Sequence, residues 1–510
     1  MPMAELLISI MYSIDNSKVI KNVCNQLGIK DAQFSMKKFI EYLDECKTRL
    51  RYFDEIVISC NSISAVYFTI LLSKKIKENN SGVKIYSIGK NLLIPEIKDF
   101  IDSLGIIDEI IEESSELNKL YPVDEDNLDR LDFDAIDIFK YHTKWGLHSV
   151  FISCSEGCPG KCDFCSIRLR WKYNEIIDKF NYYPIERVMN KINQIEEKLG
   201  KCLIHISDCT FNTGSNLSYE LLDKLKEFNM LYSCNLRVDN LDDKFISKLK
   251  EANFYKVIVG VETINDKTVK ILNKGFDNYI YEAKNSIPKL IKIGIHVQMN
   301  ILLYHPMESL DDIKDGVQKW KEFFQYLEKE KLYNYDAPVG TLCLNYPSRM
   351  YFNVLNDNKF KIYYHTLPEE LKLKVSDKIR KAFEKIPHYA IRICDNKRDI
   401  TNKMQTVNQL YELSKNGDFL IDNYVNTLVH NSEAILKSWI SNNIVIVKKS
   451  KLDNIKSENK IIELIRGYLN NKAISVKELI EKIDGDKQLF VASLLVLNKE
   501  AFIQLEVNKN

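Results

Sequence analysis

Three cysteines in one short loop are the residues whose types and spacing most clearly promise chemistry. They are Cys158, Cys162 and Cys165, within Cys154-Ser155-Glu156-Gly157-Cys158-Pro159-Gly160-Lys161-Cys162-Asp163-Phe164-Cys165. Thiolates are soft ligands suited to iron–sulfur clusters and to zinc. A loop stiffened by Pro159 and Gly160 lets three of them converge on one centre. A structural zinc site closes with four ligands, whereas C-x3-C-x2-C supplies three and leaves one metal position open for something that reacts. Cys154 is the neighbour that would close the site, as zinc or as an inert cluster. It falls at the end of an expected strand, and no second cysteine pair follows nearby. Of the twelve cysteines, Cys24, Cys46, Cys60, Cys202 and Cys234 lie in apolar or periodic segments and read as small buried hydrophobes. Cys343 and Cys394 are single and far apart, so they offer no second cluster.

The elements that must position this loop are strands alternating with long helices. Short apolar, β-branched runs at 149–153, 203–207, 232–236, 257–262 and 296–303 read as strands. Helical periodicity fills 185–199, 218–228, 244–251 and 280–293. This order predicts a partial (β/α)6 TIM-type barrel over residues 149–330, with its site at the carboxyl ends of the strands. Asp208, Arg237 and Glu262 fall at or near those ends. Each reads by itself as an ordinary surface or salt-bridged charge. His205 and His296 sit inside apolar strand patterns and read as core or barrel-lining histidines. His305, in a turn, is a candidate for the substrate pocket.

Residues 1–118 show a second β–α–β–α pattern: a strand at 55–59, a helix at 65–77, a strand at 83–88 and a helix at 95–104 ended by Gly105. It predicts a parallel, doubly wound, Rossmann-like sheet whose ligand end is 59–62 and 87–90. Residues 119–148 form an acidic, aromatic linker. Residues 331–450 are a C-terminal substrate or capping region with a charged helix at 368–385. Residues 451–510 form a small winged-helix-like module: a helix marked by Ile461, Ile462, Ile465 and Leu469, a second opened by a Ser475/Glu478 capping box, a third at 489–497 and a strand at 502–507.

The formal net charge is +1 in 510 residues, with 45% hydrophobic and 28% charged side chains. That balance supports buried cores and gives no reason to expect a nucleic-acid or membrane-surface partner. No basic stripe accompanies the winged-helix pattern. No apolar run approaches the roughly 18 residues of a membrane span, and the N-terminus lacks a basic region before its short apolar stretch; a cytoplasmic location is expected.

Cys158-x3-Cys162-x2-Cys165, with Phe164 before the last cysteine, resembles the radical S-adenosylmethionine (SAM) superfamily. Further positions agree in order: Ser207-Asp208-Cys209-Thr210-Phe211, Asn235-Leu236-Arg237-Val238-Asp239, Gly260-Val261-Glu262-Thr263, Leu272-Asn273-Lys274, and Tyr304-His305-Pro306-Met307-Glu308-Ser309, which lacks the family's usual glycine. The resemblance implies a [4Fe–4S] cluster on the three cysteines, with SAM chelating the fourth iron and cleaved to a 5′-deoxyadenosyl radical. It implies that Phe164, Asp208, Arg237 and Glu262 bind SAM. The upstream domain is similar to that of cobalamin-dependent (class B-like) radical methylases, through residues 53–61, 74–77, 83–89 and 107–110, although glycines usual at Ser87-Ile88-Gly89-Lys90 and before Glu113-Ser114 are missing. That implies cobalamin near Ser59, Asn61, Ser62 and Gly89, and methylation of an unactivated carbon. Residues 346–352 and the C-terminal module resemble maturases of ribosomally made peptides, which implies a peptide or small natural-product substrate and an electron donor such as flavodoxin or ferredoxin. Two other readings stay open: a radical enzyme that rearranges, cyclises or epimerises without methyl transfer, and a non-catalytic metal-binding protein.

Overall fold

In a computed structural model the chain packs as two compact units, Met1–Asp124 with Phe164–Ile177 and Cys343–Cys394, and Glu125–Asp163 with Asp178–Leu342 and Asp395–Asn510. The structure describes residues 52–60, 63–111 and 148–364 with short gaps, then 387–392, 443–448, 473–482 and 503–507, with scattered single positions elsewhere. The expected helix at 368–385, and all but isolated positions of the 119–148 linker, lie outside the described residues.

In the first unit β1 (Glu55–Ser59), β2 (Lys84–Ile88) and β3 (Glu109–Ile111) form a parallel sheet in that order. Parallel neighbours need a crossover. It is supplied by α1 (Ile63–Asn79) and by α2 (Pro95–Leu104), which opens on Pro95 and stops at Gly105 with φ 59°. Apolar residues drive the packing: Ile56, Ile58, Ile85 and Ile97 are buried. A polar staple fixes the far end of the sheet. Lys77 Nζ donates to the Val83 carbonyl at 2.7 Å and lies 2.8 Å from Asp108 Oδ2, which also accepts from the Ile85 N–H at 2.6 Å. The same unit holds an antiparallel pair, Phe360–Tyr364 with Pro387–Arg392.

The second unit is built on β4 (Ser149–Ile152), β5 (Leu203–Ile206), β6 (Leu231–Leu236), β7 (Phe254–Glu262) and β8 (His296–Leu303), all parallel and in sequence order. Two short strands, β9 (Tyr335–Asp336) and β10 (Val339–Thr341), pair with successive parts of β8. They share one sheet position, broken at Ala337-Pro338. Pro338 has no N–H to give the ladder, and its carbonyl accepts from the Ile301 N–H at 3.0 Å. Six sheet positions result, matching the expected (β/α)6 count, and the first five are the strands expected from the sequence. The crossovers are α3 (Ile185–Leu199), α4 (Asn216–Leu225), α5 (Asp243–Glu251), α6 (Asp266–Ile271) with α7 (Tyr279–Lys292), and α8 (Leu310–Lys329) follows β8.

Local sequence sets where these helices start. Asp242 caps α5 by accepting from the Phe245 N–H, Asn265 caps α6 through the Thr268 N–H, and Ser309 with Asp312 forms a reciprocal capping box on α8. The strands alternate. Val257, Val259, Val261, Val297, Met299, Ile301 and Leu303 are buried on the helix-covered face, whereas Lys256, Ile258, Gly260, Gln298, Asn300 and Leu302 occupy the other face and are less buried.

The C-terminal segment adds a three-stranded antiparallel sheet in which Ile444–Lys448 lies between Ile474–Ser475 and Ile503–Val507. The Ser475/Glu478 capping box opens the helix Val476–Glu481 as expected. Its core, with Trp439, Ile446, Ile465, Leu479 and Phe490, is continuous with Leu203, Leu231 and Tyr255. Those three residues start β5, β6 and β7, so the segment covers the end of the sheet opposite Asp208, Arg237 and Glu262. Among the described residues no helix is long and apolar enough to cross a membrane. Trp439 is 0% exposed in that shared core; Trp439→Ala is expected to cost about 3–5 kcal/mol, read as a lower thermal midpoint of the whole chain.

Candidate functional site

The cysteine loop leaves β4 and is fastened at its root by Asp208. The N–H groups of Cys154 and Ser155 donate to Asp208 Oδ1 at 2.7 and 3.1 Å, and the Ser155 hydroxyl donates to Oδ2 at 2.7 Å. Burial pushes this carboxyl above its ordinary range, and the three hydrogen bonds oppose the shift. Cys154 is 0% exposed, and burial together with Asp208 pushes its thiol well above its ordinary value. A buried neutral thiol is a poor ligand. Cys158, Cys162 and Cys165 are each partly exposed. Cys60, Cys202 and Cys234 are buried, as their apolar settings predict.

The middle of the loop is clamped by Arg237. Its Nε and Nη2 donate to the two carboxylate oxygens of Asp239 at 2.7 and 3.1 Å, and Nη2 also donates to the Lys274 carbonyl at 3.1 Å. Nη1 then points to Cys162 Sγ at 3.7 Å. Asn212 holds the backbone beneath, accepting from the Arg237 N–H at 2.9 Å and donating to the carbonyls of Arg237 and Asp239. The loop passes so close that a Cβ at Gly160 would lie 2.7 Å from Arg237 Nη1 and 3.3 Å from Cys158 Sγ. Asn273, with φ 52°, donates from Nδ2 to Asp163 Oδ1 at 3.1 Å, and the Asp163 N–H donates to the Leu272 carbonyl at 3.1 Å. The segment Leu272-Asn273-Lys274 therefore pins the cysteine loop.

Glu262 ends β7 at φ 62°, rare for a residue with a long side chain. Its Oε1 lies 3.3 Å from Lys274 Nζ, and both residues are buried. Lys274 Nζ also donates to the Gly260 carbonyl, and the Tyr279 hydroxyl reaches the Gly260 and Val261 carbonyls at 2.7 Å each. Asp208, Arg237 and Glu262 thus stand at neighbouring strand ends of one sheet, each already holding part of the loop or its support. Sequence reasoning did not single out Asn212, and it noted Asp239 only within its segment and Gly160 only as a stiffener of the loop. The signal for Asp239 was present in the Arg237-Val238-Asp239 spacing.

The turn after β8 is a separate polar knot. The Glu308 carboxylate accepts from the Thr268 hydroxyl at 2.6 Å and from the His305 N–H at 2.7 Å, while Lys403 Nζ donates to the Glu308 carbonyl at 2.7 Å. The Met307 N–H donates to His305 Nδ1 at 2.9 Å, which places the imidazole proton on Nε2.

Phe164 and Cys165 fall in the first compact unit, and both side chains are half-buried. There Ser59 ends β1, exposed, and Gly89 follows β2. A Cβ at Gly89 would lie 1.8 Å from the Cys60 carbonyl oxygen, so the approach of two strand-end loops is enough to demand glycine there. Asn61 and Ser62 lie outside the described residues. Among the described residues no three His, Cys, Asp or Glu side chains stand grouped as a metal site. The donor chemistry nevertheless fits an iron–sulfur cluster: three accessible thiols on one loop, a buried Cys154 that leaves the fourth position open, and a guanidinium beside Cys162 to offset thiolate charge.

An open parallel βα sheet with a cysteine loop at its carboxyl end defines the radical SAM fold class. Residues 152–319 match the family model of the radical SAM superfamily, and they form a radical SAM domain. The chain is 26% identical to bacteriochlorophyllide d C-8(2)-methyltransferase of Chlorobaculum tepidum over 210 residues, 40% of this chain and 44% of that protein. It is 20% identical to an uncharacterized methyltransferase of Pyrococcus horikoshii over 49% of this chain and 54% of that protein. The chain thus spans about half the length of these curated relatives. The fold is similar to the radical SAM methyltransferase TsrM of Kitasatospora setae, solved with cobalamin and a [4Fe–4S] cluster bound. That likeness has a TM-score of 0.51 at 12% identity and covers 84% of this chain and 96% of that one.

Burial lowers the His305 pKa from 6.5 to about 4. The unfolded chain therefore binds the proton more readily than the folded one, and stability is lost as pH falls below 6.5 toward 4. Between pH 7 and pH 5 the wild-type chain should lose about 2 kcal/mol more stability than His305→Gln. Denaturant unfolding of both proteins at the two pH values checks this.

Proposed function

We propose that the chain is a radical SAM enzyme that methylates an unactivated carbon of a peptide or small natural product, with cobalamin as methyl carrier. The observation that carries the reading is the cysteine loop: three accessible thiols beside the Arg237 clamp, with Cys154 withdrawn into the core. When bound, the [4Fe–4S] cluster supplies the electron that splits the SAM sulfonium, and cobalamin supplies the transferred methyl group. The chain's own residues do the holding. Cys158, Cys162 and Cys165 ligate the cluster. Arg237 and Lys274 bring positive charge to it, and Asp208 and Asn273 fix the loop. Glu262 keeps Oε1 on Lys274, and its second oxygen would take the SAM ammonium; Arg237 would pair with the SAM carboxylate, and Phe164 would pack on the adenine.

The first unit is read as a Rossmann-like cobalamin domain. Ser59 and Gly89 support this by lying at the carboxyl ends of β1 and β2, where parallel sheets take their ligands; Asn61 and Ser62, close by in sequence, complete the proposed set. The C-terminal segment is read as a winged-helix-like cap, and a flavodoxin or ferredoxin as the electron donor. The methyltransferase names of the two curated relatives favour methyl transfer over rearrangement, cyclisation or epimerisation.

Anaerobic reconstitution followed by reduction with SAM tests the reading. The wild-type chain and Cys154→Ala should bind iron and sulfide and release 5′-deoxyadenosine, while alanine at Cys158, Cys162 or Cys165 should lower release at least 100-fold. Bound cobalamin and loss of label from methyl-labelled SAM are expected in the same sample. Zinc in place of iron would overturn the radical assignment. Deoxyadenosine without cobalamin or methyl transfer would overturn only the methylase assignment.

A further inference from the structure

The face of the barrel sheet turned away from its helices carries a row of side chains that the cluster site does not use. Strand register lines up Phe151 with His205, His205 with Ser233, Ser233 with Lys256, and Lys256 with His296. Paired residues on parallel strands share a face, so the five form one layer across β4–β8. Along their strands His205, Ser233 and Lys256 lie between three and six residues before Asp208, Arg237 and Glu262.

Most polar groups in this layer have partners. His205 Nδ1 and Ser233 Oγ are 2.8 Å apart. His296 Nε2 is 3.1 Å from Asp336 Oδ1, and its Nδ1 is 3.3 Å from Asn334 Oδ1. Lys256 is different. The carboxylate whose charge reaches it, Asp336, is hydrogen-bonded to His296, and among the described residues the Lys256 ammonium makes no hydrogen bond or ion pair. It is half-buried, and burial lowers its pKa while Asp336 opposes the shift. A half-buried cation with no hydrogen-bonded anion is costly to keep. The same charge, after burial, lowers the pKa of His205, which keeps that imidazole neutral. At the open edge Phe151 is 69% exposed with its ring edge-on to His205, centroids 5.2 Å apart. An exposed aromatic, a neutral imidazole, a hydroxyl and an unpaired ammonium in sequence match an organic acid: apolar body at Phe151, carboxylate at Lys256.

We propose that this layer is a carboxylate-binding subsite in which Lys256 pairs with the carboxylate of the substrate, while His205, Ser233 and Phe151 line its body. The proposal names a substrate class for the radical enzyme proposed above and rests on that reading, but binding is measurable without turnover. The carboxylate belongs to a peptide C-terminus or to a free small acid, and the test separates the two.

The test uses the full chain labelled with 15N-histidine, with the His205 signal assigned by its loss in His205→Gln. N-acetylphenylalanine represents a peptide terminus and 3-phenylpropionate a free acid; their primary amides are the neutral controls. Saturable movement of the His205 signal is expected with at least one acid, at least tenfold tighter than with its amide. Lys256→Met should weaken it tenfold or more, and Lys256→Arg should retain it. Tighter binding of N-acetylphenylalanine identifies a peptide terminus, and tighter binding of 3-phenylpropionate a free acid. No saturable movement with either acid, equal binding of acid and amide, or unchanged binding in a folded Lys256→Met would overturn the proposal. None of these outcomes depends on deoxyadenosine release, so failure here is distinct from failure of the radical reading.

Discussion

The guanidinium of Arg237 is the contact on which the cysteine loop depends. Asp239 grips it through two hydrogen bonds, which fixes the plane of the fork. With that plane fixed, one remaining N–H meets the Lys274 carbonyl and another meets Cys162. Bidentate pairing of this kind needs arginine, because a lysine ammonium has no rigid fork. Glycine at 160 follows from the same constraint, since any side chain there would displace either the guanidinium or Cys158. The loop is thus held from below by Asp208, from the side by Arg237 and at its far end by Asn273, with the thiols left accessible.

Much of this was legible in the sequence. The β-branched runs between amphipathic helices give the parallel sheet because each strand buries one face under those helices. The five expected barrel strands all form, within a few residues of the read boundaries. The cysteine spacing marks the loop directly. What could not be read was how the charges are spent. Asp208 lies far from Cys154 in the chain, and only the folded sheet shows that it accepts the N–H groups at the loop root. Asn212 looks like any polar loop residue until β6 passes beside it. The split sixth strand escaped notice because two short pieces around Pro338 carry no periodicity. The central strand of the C-terminal sheet, Ile444–Lys448, is a brief apolar run well before the helices it packs on.

The two ends of the barrel sheet do different work. The carboxyl end gathers the cysteine loop and the charges around it. The amino end is closed by the C-terminal segment, whose apolar core merges with Tyr255 and with Leu203 and Leu231, which lie on the same strand face as His205 and Ser233. Between them the uncovered face stays polar, with Gln298 donating to Asn300 at 3.1 Å and Ser153 hydrogen-bonded to Ser207 at 3.0 Å. Polar side chains satisfied on an inward face suit a cavity that takes a polar guest, whereas a close-packed barrel core is filled by branched apolar residues.

The central claim is that three thiolates leave one iron open to SAM. Electron paramagnetic resonance of the reduced, anaerobically reconstituted chain, recorded with and without SAM, tests it most directly. The account predicts a [4Fe–4S] signal whose line positions shift when SAM is added, because SAM becomes a ligand of the open iron. A signal indifferent to SAM, persisting in the wild-type chain and lost in Cys154→Ala, would mean that Cys154 closes the site, and would contradict the account.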